Sequence, residues 1–477
     1  MRSVRVAPAV LGLLIGLVVP TIGVSSAAGS VPSVGRGALS LLDRPRHADD
    51  AIQALGADLP AAAARNGQSV ASFRALIESD HTMWVDRTGM TFAAEPVASA
   101  ASMASAVTSA ATSTPSEALH LHSSPGSKRV IYLDFDGQVI QGTAWNSVWN
   151  HDAPYTAAPY DIDGHPSTFS PAELGVIKAV WQRVSEDYAP FDIDVTTEEP
   201  APDAIDRTGA SDDVYGTRAV ITNTTVGYSS CGCGGVSYVG TFDNPFVHSL
   251  YQPSFIFERG VGSTAKPLAE AVSHEVGHSL GLHHDGTPSA GYYAGQGAWA
   301  PIMGVGYYRP VSQWSRGEYA GANNKEDDIS VMVSHGATLR PDDYGDSFAK
   351  ATVIKGATPR VAGRIGTAAD VDAFRFTTGG GVTSVIVRPP DQFADLDVRV
   401  RLYTAAGRGV TTNDPLVSML GADVSRGLAA GIRVSLPAGS YVVLVDGVGA
   451  GSALTNGYSD YGSIGTYTLT ATIARPT

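Results

Sequence analysis

The 477-residue chain reads as an α+β protein, a mixed helix-and-strand domain followed by an all-β sandwich. Three observations carry that expectation. First, the β-branched and aromatic run RVIYLDFDG from Arg129 is followed by a helical repeat of Leu174, Ile177, Trp181, Val184 and Tyr188. Second, a helix from Pro267 carries Leu268, Val272, Val276 and Leu280 as an apolar stripe. Third, the composition changes after about residue 339: LDVRVRLYTAAGR, LPAGSYVVLVDG and GYSDYGSIGTYTLTATI are short strand runs separated by Gly, Pro and Asp turns, which suits a sandwich.

Taken in order, the chain opens with Arg2 and Arg5, an apolar run from Ala7 to Val19 and then SSAAGS. This is the layout of a secretory signal peptide over residues 1–28, with cleavage after Ala28; an uncleaved anchor is the alternative. No later run is long enough to span a membrane. Residues 29–96 predict a short helix at Val70 to Glu78 and a strand-like HTMWVDRTGMTF, and Val97 to Ser116 is an Ala/Ser/Thr/Val linker. Ser170, Pro171 and Glu173 form a capping box with Pro at the first helical position, and that helix stops before Pro190. FDIDVTT then alternates, with Phe191, Ile193 and Val195 inward and Asp192 and Asp194 outward. Further strands are expected at Arg218 to Thr222, Val236 to Phe242 and Ser254 to Glu258, and the glycines around Cys231 and Cys233 mark a backbone that something approaches closely.

The chemistry concentrates in HEVGHSLGLHHDG, His274 to Gly286. On a helix, His274 and His278 project from one face and can reach one metal ion, while Glu275 is placed to hold a water there as general base. Gly281 can end the helix in a left-handed conformation and return His284 to the metal. Three imidazoles with an open fourth position make a catalytic rather than a structural zinc site. His283 could replace His284 only if the turn were one residue tighter. The net charge of −14 argues against a nucleic-acid partner. Cys231 and Cys233 permit one small disulfide or two free thiols.

HExxHxxGxxH followed by a Met, here Met303 in APIMG, resembles the metzincin zinc peptidases, and HxxGxxHD with Asp285 resembles their reprolysin-like (adamalysin) branch in its secreted bacterial form. The resemblance implies a zincin fold with a mixed twisted sheet and active-site helix over residues 119–338, preceded by a pro-region and linker over 29–118. It implies Zn²⁺ on His274, His278 and His284, Glu275 as general base, Met303 in a turn beneath the histidines, and an antiparallel edge strand at Val236 to Phe242 that pairs with an extended peptide. Where several relatives place a Tyr two residues after the Met, this chain has Val305; Tyr307 and Tyr308 are candidates for substrate or oxyanion contact. No Cys precedes Cys231, so a thiolate cannot hold the enzyme latent, and Asp80, His81 and Asp86 are the alternatives. Residues 339–477 resemble the bacterial pre-peptidase C-terminal domain, and Asp370, Asp372, Asp395 and Asp397 are candidates for Ca²⁺.

The expected function is a secreted, monomeric zinc endopeptidase acting on peptides or proteins, without stable membrane insertion. Its rivals are a secreted binding or adhesion protein with a vestigial or structural zinc site, attached through the sandwich, and a zinc hydrolase of non-peptide amides or esters.

Overall fold

The computed structural model describes residues 40–99, 113–390 and 393–474. The signal-peptide reading and most of the linker lie outside the described residues.

One eight-stranded sheet organises the first two thirds of the chain. Its strands are β1 (Arg46–His47), β2 (Trp84–Val85), β3 (Thr91–Glu95), β4 (Arg129–Asp134), β7 (Asp194–Thr196), β8 (Tyr215–Thr222), β9 (Gly235–Tyr238) and β10 (Ser254–Phe257); β5 (Gln138–Ile140) and β6 (Tyr155–Ala157) form a separate hairpin. The order is β1-β2-β3-β9-β10-β8-β4-β7. β7, β4, β8 and β10 run parallel, and β9 turns antiparallel to β10. Parallel neighbours need a crossover, and the helix Pro171–Asp187 supplies it between β4 and β7. That helix begins as the sequence predicts: Ser170 N–H donates to Glu173 Oε2 at 2.6 Å and Glu173 N–H donates to Ser170 Oγ at 3.4 Å. Its apolar side, Leu174, Ile177, Val180 and Val184, joins Leu268, Val272, Val276 and Leu280 of the helix Ala265–Ser279 in the main core. Tyr188 ties the two helices by donating to the Ser273 carbonyl at 3.1 Å.

Two expectations need correction. The strand predicted at Val236 to Phe242 ends at Tyr238, because the chain turns through Gly240 at φ +65°. It is also not an edge, since β3 pairs antiparallel along its outer side with Phe92 opposite Tyr238 and Glu95 opposite Gly235. Non-local packing holds β3 there. Phe92 lies against Trp145 and Tyr238, with ring centroids 5.5 and 5.6 Å away. Behind it Leu42, Ala51, Leu55, Leu59, Phe73, Ile77, Met83, Val85 and Ala93 form a small core of their own. In FDIDVTT, Asp194 is buried rather than outward, because His122 Nδ1 closes over its Oδ2 at 2.6 Å.

The C-terminal region is β-rich. A five-stranded sheet (Thr352–Val353, Val371–Thr378, Gly439–Gly447, Val398–Thr404, Gly409–Asn413) faces a four-stranded one (Arg360–Ile365, Gly465–Thr472, Gly381–Arg388, Ala430–Leu436). Alternating residues such as Phe374, Phe376, Val385, Val387 and Leu469 fill the space between them. The sandwich is bonded to the long helix: Glu186 accepts from Thr466 N–H and Oγ1, both at 2.7 Å, and Arg183 pairs with Asp423 at 2.6 Å.

Burial pushes the Glu186 carboxyl up to about 7, against the opposing bonds from Thr466. A carboxyl whose folded pKa is raised favours the fold while protonated. Its contribution is therefore complete below the unfolded value near 4.5 and is lost as pH rises through about 7. Glu186→Gln is isosteric and can donate to the Thr466 hydroxyl. It is expected to remove up to about 3 kcal/mol of the stability that the wild type loses between pH 5 and pH 8. Urea unfolding at both pH values measures this, and an unaltered pH slope would refute it.

Candidate metal and catalytic site

The helix Ala265–Ser279 and the turn after it build the site. Its last turn ends at Gly281, whose φ of +93° is open to glycine, and an added Cβ there would come within 2.4 Å of the His335 ring. The chain doubles back, so that ligand atoms of His274, His278 and His284 lie within 4.8 Å of one another, all three residues buried. His283 instead faces away, its Nδ1 3.1 Å from Glu326 Oε2 and its backbone N–H donating to Oε1.

The hydrogen bonds determine which ring nitrogens are free. His274 Nδ1 donates to the Ile302 carbonyl at 2.9 Å and His278 Nδ1 to the Leu282 carbonyl at 2.8 Å. His284 Nδ1 lies 2.8 Å from Asp80 Oδ2 and 2.6 Å from Thr82 Oγ1. A carbonyl or carboxylate only accepts, so each Nδ1 carries the proton and each neutral ring presents a bare Nε2. The His278 and His284 Nε2 atoms are 2.9 Å apart, and His274 Nε2 is buried without a partner. Three lone pairs facing one point repel unless a cation sits among them, so the donor set fits a metal ion. The rings are kept neutral: burial, then the neighbouring His284, pushes His274 down to about 3, and the same causes, with His274 added, hold His278 well below its ordinary range.

Glu275 is fully buried beside the triad, and neither carboxylate oxygen has a hydrogen-bond partner. Burial and the nearby Glu95 carboxylate push it well above the ordinary range, while the Glu95 backbone N–H, which faces it, works the other way. Its side chain lies directly on β9, where a Cβ added at Gly235 would fall 2.6 Å from Glu275 Oε1. This is the close approach that the glycines after Cys233 announce. Cys231 and Cys233 themselves form a disulfide.

Met303 is buried against the histidine helix, its Sδ 2.7 Å from where a Cβ on Gly277 would sit, and its carbonyl accepts from Asp285 N–H at 2.8 Å. Residues 181–285 match the family model of the reprolysin-like M12B metallo-peptidases. The reprolysin-like match thus covers the end of the helix Pro171–Asp187, β7 to β10 and the three histidines. The family is zinc-dependent, and the histidine triad is positioned to bind a metal. Among solved structures, the chain is similar to the pre-peptidase C-terminal domain of a collagenase from Bacillus anthracis, at 14% identity and a TM-score of 0.18, over 28% of this chain and 99% of that one. It is also similar to PliG of Salmonella Typhimurium, a periplasmic inhibitor of g-type lysozyme, at 14% identity and a TM-score of 0.17, over 26% and 96% of the two chains. No curated protein matches the chain. Among the described residues no helix is long and apolar enough to cross a membrane.

Other predicted residues fall as follows. Tyr307 is buried and faces Glu95, and the Tyr308 hydroxyl accepts from Ser99 N–H at 3.0 Å. The tyrosine next to the triad is one that sequence reasoning missed: the Tyr292 ring lies 4.4 Å from that of His284. Nothing in GYY before the Met marks it, because its position depends on how residues 286–303 fold back. Asp80 bonds the outer nitrogen of His284 and so orients that ring instead of occupying the metal-facing side. The four aspartates considered for calcium do not converge. Asp370 and Asp372 gather with Asp342, whereas Asp395 faces Asp187 and Asp397 accepts from Tyr458 at 2.9 Å.

Proposed function

We propose that the protein is a secreted zinc-dependent endopeptidase, with His274, His278 and His284 holding the ion and Glu275 as general base. The observation that carries this reading is the convergence of three bare Nε2 atoms beside a buried, unpartnered carboxylate. Zinc, when bound, supplies acidification of a water and polarisation of the scissile carbonyl. Glu275 takes the proton of the attacking water and delivers it to the leaving amine. The extended segment Thr91–Glu95 already lies along β9 through backbone pairing, and a site that holds an extended strand in this way favours a peptide over a small ester or amide. Tyr307 and Tyr308 belong to the wall that receives the residue after the scissile bond, and Met303 supports the helix from below. The signal-peptide layout of residues 1–28 supports export.

The test is hydrolysis of a denatured protein at internal bonds. Cleavage should stop on zinc chelation and return on adding Zn²⁺, followed by mass spectrometry of the products. Cleavage that persists in a chelator, or cutting of esters without peptides, would overturn the reading.

A further inference from the structure

We propose that the first substrate of this site is the protein's own Ala94–Glu95 peptide bond, cleaved within the same chain. The inference rests on the peptidase reading and extends it to a defined processing site.

Residues 91–99 thread the cleft as an extended peptide. β3 runs antiparallel to β9 with Ala94 opposite Val236 and Glu95 opposite Gly235. Beyond the strand, Gly234 N–H donates to the Glu95 carbonyl at 2.7 Å, Ala98 N–H donates to the Gly260 carbonyl at 2.9 Å, and Ser99 N–H donates to the Tyr308 hydroxyl. The peptide is therefore held on both sides of one bond.

That bond faces the chemistry. The Ala94 carbonyl accepts from the hydroxyl of Tyr292, whose ring lies 4.4 Å from that of His284 and 6.2 Å from that of His274. The next residue, Glu95, pairs with Gly235, where an added Cβ would fall 2.6 Å from Glu275 Oε1, so the Glu95 nitrogen lies beside the Glu275 carboxylate. A carbonyl beside the triad with a hydroxyl donor on its oxygen, and a leaving nitrogen beside the general base, is the arrangement peptide hydrolysis requires. The Glu95 side chain is buried facing Tyr307, in the place of the residue after a scissile bond. No second molecule has to be recruited, since the small core behind β3 already fixes the bond.

In the step, water oxygen adds to the Ala94 carbonyl carbon and the C–N bond breaks. One water proton passes through Glu275 to the Glu95 nitrogen, and the second leaves the new carboxyl group for the freed amine, which becomes an ammonium. Ala94 ends as a carboxylate and Glu95 as a new amino terminus. Tyr292, donating to the oxygen that becomes negative, is assigned to the reaction as a catalytic residue.

Full-length protein is prepared as wild type, Glu275→Ala and Glu95→Pro, loaded with zinc, and followed by intact mass and N-terminal sequencing. The wild type should yield a fragment beginning at Glu95, at a first-order rate that does not change on dilution, and the two variants should stay whole at that bond. A second readout is independent of turnover. In zinc-free Glu275→Ala protein, the amides of Gly234 and Ala98 should exchange at least about 100-fold more slowly than unstructured amides. Fast exchange there, cleavage only at other bonds, or a rate proportional to protein concentration would each overturn the proposal. A wild type that stays whole but cuts quenched peptides overturns self-cleavage alone. One that does neither overturns the peptidase reading as well.

Discussion

Glu275→Ala is expected to retain one zinc per chain and to lose about 10²–10⁴-fold in kcat on a peptide substrate. The two halves of this result have separate causes. The three Nε2 atoms positioned to bind a metal belong to rings oriented through Ile302, Leu282 and Asp80, and Glu275 takes no part in those bonds. Proton transfer, by contrast, has no other carboxylate so placed among the described residues. Glu95 is buried nearby but belongs to the peptide that lies in the cleft, and it turns toward Tyr307. Metal content by atomic emission and steady-state rates measure the two halves separately. Unchanged turnover would remove Glu275 from the mechanism, whereas a zinc-loaded wild type without turnover would favour an adhesion role for the chain.

Asp80→Ala is expected to weaken zinc binding by about 10- to 100-fold, the usual cost of losing a carboxylate behind a metal-binding histidine. Among the described residues Asp80 is the one side-chain carboxylate that orients the triad; the other two rings lean on backbone carbonyls, which substitution leaves in place. Burial alone would raise the Asp80 carboxyl, but the charge and hydrogen bonds of His284 and Thr82 hold it far below the ordinary range. The measurement belongs in the Glu275→Ala background, where the chain stays whole and Asp80 stays in place, with zinc competed against a chromophoric chelator. Asp80→Asn keeps an acceptor oxygen and should recover part of the loss. Equal affinity in all three would show that Thr82, 2.6 Å from the same nitrogen, suffices to orient His284.

The convergence of the three histidines was largely legible because it is local. His274 and His278 share a face through helical geometry alone, Gly281 marks the stop, and His284 follows within a few residues. The glycines at 234 and 235 signalled close approach, though not by which side chain. Tyr292 and Glu95 were not legible as site residues, and Asp80 was legible only as a candidate for latency, not as the carboxylate behind His284. Each reaches the site through contacts between residues far apart in the chain: Asp80 to His284, Ala94 to Tyr292, Glu95 to Gly235.

From its sequence alone the chain determined an amphipathic helix carrying a three-histidine motif, a second capped helix, and a series of short strands after residue 339, because spacing along a helix or strand dictates which side chains share a face. Tertiary structure decided what lies against that motif. Strand pairing is made by backbone groups that every residue carries, so no pattern in Thr91–Glu95 could announce that β9 would be its partner. Only the packing of Phe92 against Trp145 and Tyr238, and of the small core behind it, selected that register and placed one peptide bond before the histidines.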